Sequence, residues 1–188
     1  MNEHIYPRTK GHLTIDHVFA DGHSITAMEC HNALQQVGWG TMARCLATPG
    51  LSLNTMYLLY TNGATPPDIA GVEAGSVTVP DITTTSATLN FFRVPIVHVA
   101  TDSTEGLGDN IVTFHGVTND SPFGEPGTAD FGGSSRLYAA ALVCAVDDDI
   151  EHDLLFSVAD GIDITKIANA QIGIRWKVTV GLGEESVA

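Results

Sequence analysis

Near its C-terminal end the chain sets Ile172, Ile174, Trp176, Val178 and Val180 alternately against Gly173, Arg175, Lys177 and Thr179. A period of two belongs to an extended strand, whose successive side chains point to opposite faces. One face is therefore apolar and the other cationic and wet. The register is fixed as well, because a slip of one residue would bury Arg175 and Lys177. Such a strand must lie in a sheet with one face on a core, so the rest of the chain has to supply its partners and a covering layer.

Several segments qualify. In residues 11–20, Leu13, Ile15, His17 and Phe19 alternate with Thr14, Asp16 and Val18, which predicts a half-buried strand closed by the turn Asp21-Gly22. Asn54–Thr61 is a strand rich in aliphatic and aromatic residues, followed by the tight-turn pair Asn62-Gly63. Thr83–Ala100 reads as a long strand in which Pro95 marks an edge, a bulge or a break, since proline brings no N–H to a ladder. Asn110–Thr118 is another strand. Arg136–Val146 is almost continuously apolar, the pattern of a strand covered on both faces. Leu154–Ala159 follows the acidic turn Asp147–Asp153. Thr65–Pro80 and Asn119–Ser135 lack any period and are loops, long enough to be expected as contact elements.

From Ser24 the period changes. Met28, Leu34, Val37, Met42 and Cys45, with Cys30, Ala33 and Leu46, recur at steps of three and four. This predicts one amphipathic helix of about 20 residues, capped by Ser24 and ended by Pro49-Gly50. Gly38 and Gly40 inside it cost about 1 kcal/mol each relative to alanine, so close packing or a bend is expected there. A short helical turn is expected within Asp163–Ala170. With about seven strands and one helix in the N-terminal half, the expected fold is mainly β, an antiparallel β-sandwich or jelly-roll-like domain spanning residues 11–188. Residues 1–10, polar and containing Pro7, read as an arm.

Charge narrows the partners. Eight Lys plus Arg stand against 22 Asp plus Glu, a net charge of −14, and the cations form no stripe that could neutralise phosphates. Neither nucleic acid nor a negatively charged membrane surface is an expected partner. Only 16% of residues are charged while 44% are hydrophobic, against about 25% charged in a typical soluble domain. Self-association, with the long loops at contacts, is the expectation. Cys30, Cys45 and Cys144 are an odd number without CxxC spacing, so buried reduced thiols are expected rather than a disulfide framework or zinc site. The segment MNEHIYPRTK has no apolar core of a secretory signal, and no apolar run reaches the roughly 20 residues of a membrane span. Synthesis and folding in cytoplasm are expected.

Candidate chemistry is sparse. His12 with His17, or His98 with His115, could meet across strands as zinc ligands, yet neither pair has the spacing of a specific metal motif. Asp147, Asp148, Asp149, Glu151 and Asp153 could ligate calcium but do not follow an EF-hand. A solvated acidic turn accounts for them. Asp102 with Glu105 is a carboxylate pair of no specific spacing. Cys30-His31 are neighbours that point apart on a helix, Ser134-Ser135 lacks a nucleophile elbow, and GLGDN at 106–110 lacks the phosphate-loop lysine. No catalytic residue, no metal ligand and no cofactor site is expected.

The order of segments carries a resemblance. HNALQQVGWGTMARCLA, NTMYLLYTNGATPP, FFRVPIVHV, NIVTFHGVTND, SRLYAAALVCA and ITKIANAQIGIRWKVTV, over roughly residues 30–180, resemble virion structural proteins of tailed bacteriophages. Members include head decoration (cement) proteins and small tail or appendage proteins. The resemblance implies a non-enzymatic capsid decoration protein, made in host cytoplasm and resident in the virion. Its implied partners are other copies of itself and virion proteins such as the major capsid protein. The alternative is a tail or appendage protein whose β-sandwich binds a receptor or carbohydrate. Carbohydrate sites usually expose Trp or Tyr, whereas Trp176 points inward by pattern and Trp39 lies in the helix.

Overall fold

The computed structural model describes residues 7–34, 36–61, 69, 77–79, 82, 89–103, 109–118, 136–165, 167 and 170–182. The described residues are mainly β, and one helix, α1, is described along its length. In chain order it forms β1 (Pro7–Phe19), β2 (Ser24–Leu34), α1 (Gln36–Ala47), β3 (Thr55–Thr61), β4 (Leu89–Ser103), β5 (Asp109–Val117), β6 (Arg136–Cys144), β7 (Leu154–Ala159), β8 (Ile164–Thr165) and β9 (Ala170–Leu182). Every pairing is antiparallel. The strand order is β3-β4-β5-β9-β1-β2-β7-β6-β8, and β3 also pairs with β6, so one sheet curls round on itself into a sandwich of two layers.

Two strands belong to both layers. The first half of β4 pairs with β3, from Leu89 against Thr61 to Pro95 against Thr55, and its second half pairs with β5, starting at Ile96 against Gly116. Pro95 stands at this corner, as its missing N–H requires. The next amide, Ile96, donates to Asn54 O at 2.8 Å, and a bulge at Val97 completes the change of direction. At the opposite corner β2 runs along β1 as far as Asn32 against Gly11, then meets β7 through Ala33 and Leu34. Asn32 lies so close over Gly11 that a Cβ there would overlap its amide, and that amide bonds the Ser157 hydroxyl of β7.

The layers are covered unequally. Leu13, Ile15, Ile174 and Trp176 from the five-stranded layer β4-β5-β9-β1-β2 pack against Met56, Leu58, Leu142 and Phe156 from the layer β4-β3-β6-β7. On the outer side of the second layer, Tyr57, Leu59, Tyr138, Ala139, Ala141 and Val143 are buried beneath Ile69, Val77, Val79 and Ile82. Residues Leu137 to Cys144 of β6 are accordingly all buried, as the continuous apolar run predicts. The helix α1 lies against β7, where the Thr41 hydroxyl donates to Leu155 O at 2.7 Å.

Four expectations need correction. Residues 24–34 are strand β2, and the helix begins only at Gln36. The register against β1 slips between Ile15 and Asp16, so Ile25 and Met28, three residues apart, oppose the same-face pair His17 and Ile15. The helix buries Gly38 and Thr41 and half-buries Met42 and Cys45, which is a three-four-seven face. Gly38 is buried; Gly40 is exposed, with nothing within 4 Å of a Cβ built on it. Next, β1 starts at Pro7, so residues 7–10 of the supposed arm pair with β9, and 1–6 lie outside the described residues. In 163–170, Ile164–Thr165 is the two-residue strand β8 on β6, and the Ala170 amide donates to Ile167 O at 3.3 Å in the short turn that follows; residues 166, 168 and 169 lie outside the described residues. Lastly, the described residues form nine strands where about seven were expected. The tight turn at Asn62-Gly63, the loop Asn119–Ser135 and the start of the strand expected from Thr83 lie outside the described residues.

In β9, Trp176 is fully buried while Arg175 and Lys177 are exposed; Val180, nearer the end, is 38% exposed. Trp176→Ala leaves a cavity between the layers and should cost about 3–5 kcal/mol, a large part of the roughly 5–15 kcal/mol that holds a domain. Lys177→Ala should melt like wild type, and thermal melting of both variants checks the face assignment. Gly40→Ala, free of clashes and inside a helix, should raise stability by about 0.5–1 kcal/mol, measurable as a higher denaturation midpoint.

Candidate functional site: the open face of the five-stranded layer

The outer face of β4-β5-β9-β1-β2 carries two cross-strand rows. His98 of β4 opposes His115 of β5, which opposes Arg175 of β9, then Thr14 of β1 and Glu29 of β2. One pleat away, Thr113, Lys177, His12 and His31 follow one another across β5, β9, β1 and β2. Period-two alternation puts them all on this face, because Phe114, Trp176, Leu13 and Cys30 between them point to the core. The ring centroids lie 5.3 Å apart for His98–His115 and 5.5 Å for His12–His31. Arg175 pairs with Asp16 at 3.1 Å, and Asp16 also accepts from the Thr26 hydroxyl at 2.7 Å, which keeps that carboxylate covered.

Electrostatics define what this face can hold. Burial, then the neighbouring His98 and Arg175, lowers the His115 pKa, so its ring is neutral at pH 7. Arg175 is offset by Asp16 and its row ends at Glu29, while Lys177 stands in line with His12, so the face carries both signs of charge. Among the described residues, no group of three or more His, Cys, Asp or Glu could hold a metal ion. The predicted His98–His115 neighbours do meet. His12 is joined to His31 instead of His17, which sits on the inward face opposite Ile25.

The acidic turn spends its carboxylates on itself. Asp147 accepts from the Asp149 amide at 2.8 Å and from His152 Nδ1 at 2.8 Å, and Asp149 caps the 3-10 turn Ile150–His152 through the Glu151 amide at 3.0 Å. Asp153 is buried and accepts from Arg93 at 3.0 Å and from the Tyr57 hydroxyl. Burial and this bond to Asp153 drive the Tyr57 pKa well up, so Tyr57 stays a donor. Sequence reasoning missed the triplet, whose members lie on β3, β4 and the turn before β7.

Beside it, Val37, Gly40, Thr41 and Arg44 of α1 face Val79, Leu154 and Leu155 across a groove of about 370 Å3. Behind the helix the Cys45 and Cys144 thiols share a hydrogen bond, and burial with this neighbour pushes Cys45 up to about 11. Such a thiol is not a nucleophile at neutral pH. Cys30 faces inward and His31 outward on β2, so they separate as opposite faces of a strand. Ser134, Ser135, Glu105 and 106–108 lie outside the described residues; Asp102 is exposed on β4. No helix among the described residues is long and apolar enough to cross a membrane.

Comparison with family models, with curated proteins and with solved structures found no match to this chain.

The hydrogen bond to Asp147 raises the His152 pKa, and the same bond lowers that of Asp147. The raised histidine contributes below its ordinary value near 6.5 and loses that contribution as pH rises through its folded value. The lowered carboxyl contributes above its ordinary value and loses it as pH falls. Proton NMR should therefore show His152 titrating above about 6.5, and Asp147→Asn should bring the midpoint back down.

Proposed function

We propose that this chain is a structural protein of a tailed-bacteriophage virion, a capsid decoration protein that stabilises the particle by protein–protein contacts with the major capsid protein and with copies of itself. The observation that carries the reading is the unequal covering of the two layers. The chain buries both faces of β3-β6-β7 with its own residues, while on the outer face of β4-β5-β9-β1-β2 His98, Arg175, Lys177, Glu29 and His31 are exposed and the β4 margin exposes Val97 and Val99. A self-sufficient rigid layer carrying a second, open layer is what a subunit needs to present a fixed surface to neighbours. The segment order resembling virion proteins supports the same reading. The net charge of −14 keeps free subunits soluble and mutually repelled until a complementary surface is offered.

The test is composition of the particle. Mass spectrometry of density-purified particles from the phage encoding this chain should find it in many copies, and gold-labelled antibody should decorate the head in negative stain. Absence from purified particles overturns the reading. Label confined to the tail would instead assign it to the tail or appendage alternative.

A further inference from the structure

We propose that β4 pairs edge to edge with β4 of a second copy of this chain, about a two-fold axis at Ala100, joining the two five-stranded layers into one continuous sheet. Beyond Pro95 the strand has left β3, and among the described residues Ile96–Ser103 pairs with β5 alone. The other edge of this segment therefore presents backbone N–H and C=O groups with no ladder partner among those residues, a template for another strand. Natural edges are blunted by lysine, proline or bulges. Residues 97–103 contain neither lysine nor proline, and Val97 and Val99 are 67% and 49% exposed.

The register follows from the ladder itself. Irregularities between Ile96 and His98 and between Asp102 and Ser103 bound one regular run, His98–Asp102. Antiparallel self-pairing along the whole run has a single register, with Ala100 opposite Ala100 of the second copy and Val99 opposite Thr101. His98 then opposes Asp102 of the other copy, twice, on the outer face that both side chains share. A ring N–H of His98 can donate to the Asp102 carboxylate directly across the strands, and any slip by two residues loses both contacts. The run is complementary to itself, which makes a second copy the occupant and closes the contact at two. The inference deepens the assembly reading above and rests on it only for the expectation that copies meet.

The experiment is sedimentation velocity of the full chain over a concentration series, with amide hydrogen exchange at each concentration. A dimer should form, and protection of amides 98–102 should rise with it. His98→Asp, which places like charges opposite each other twice, should weaken dimerisation about tenfold, and Val99→Lys should weaken it too. His98→Asp combined with Asp102→His should restore it. These side chains are exposed, so melting temperatures should stay at the wild-type value; Val99→Lys serves if His98→Asp does not fold. A monomer at every concentration overturns the proposal, as does a dimer whose β4 amides exchange at the monomer rate. Failure of the double swap to restore association overturns the register. Any of these results leaves the virion reading standing, and absence from particles leaves the dimer standing, so the two failures are distinguishable.

Discussion

The architecture depends on one strand being unable to pair continuously. A proline inside a ladder removes a donor, and at Pro95 the chain uses that gap to release β4 from β3 and deliver it to β5. The donation from Ile96 to Asn54 O holds the corner from the β3 side. The buried Arg93–Asp153–Tyr57 cluster fixes the same region two residues earlier, tying β4 to β3 and to the turn before β7. Removing one partner of such a buried pair costs about 3–5 kcal/mol, because the other charge is left uncompensated. β4 pairs with every residue of β3 before it passes to β5, and together with the β2 corner this brings the second layer over Trp176.

Much of this was legible in the sequence where periodicity and burial agree. The alternation around Trp176 and the unbroken apolar run of β6 each report how many faces a strand buries, and both were readable without a partner in view. Pro95 announced a break, but which strands it separates is a long-range fact. The segment 24–34 reads as helix because Cys30, Ala33, Leu34 and Val37 stand at steps of three and four that run without a break into α1. A signal was present: Met28 and Cys30 alternate with Glu29 and His31, a period of two confined to the stretch after the register slip against β1.

The open face was only half visible for the same reason. Arg175 and Lys177 were placed correctly, and the His98–His115 contact was foreseen as a pair. His31 could not join His12 while its segment was assigned to a helix. The Arg93–Asp153–Tyr57 cluster left no local trace, since Asp153 looks like one more acid in an acidic turn. Carboxylates that cap their own turn and one that is buried under a guanidinium have the same one-letter appearance; the distinction lies in the fold around them.

The position of β9 has a consequence in time. It is the last of the described strands, yet it lies between β1, the first of them, and β5, forming ladders with both along its length. Pairings of such sequence separation are slow to form, because closing the loop costs entropy before contacts repay it. On the ribosome β1 and β5 emerge early and wait without their common neighbour until residues 170–182 have been synthesised. The five-stranded layer therefore cannot assemble vectorially, and until its final strand arrives the apolar sides of Leu13, Ile15 and Phe114 stand open to other nascent chains.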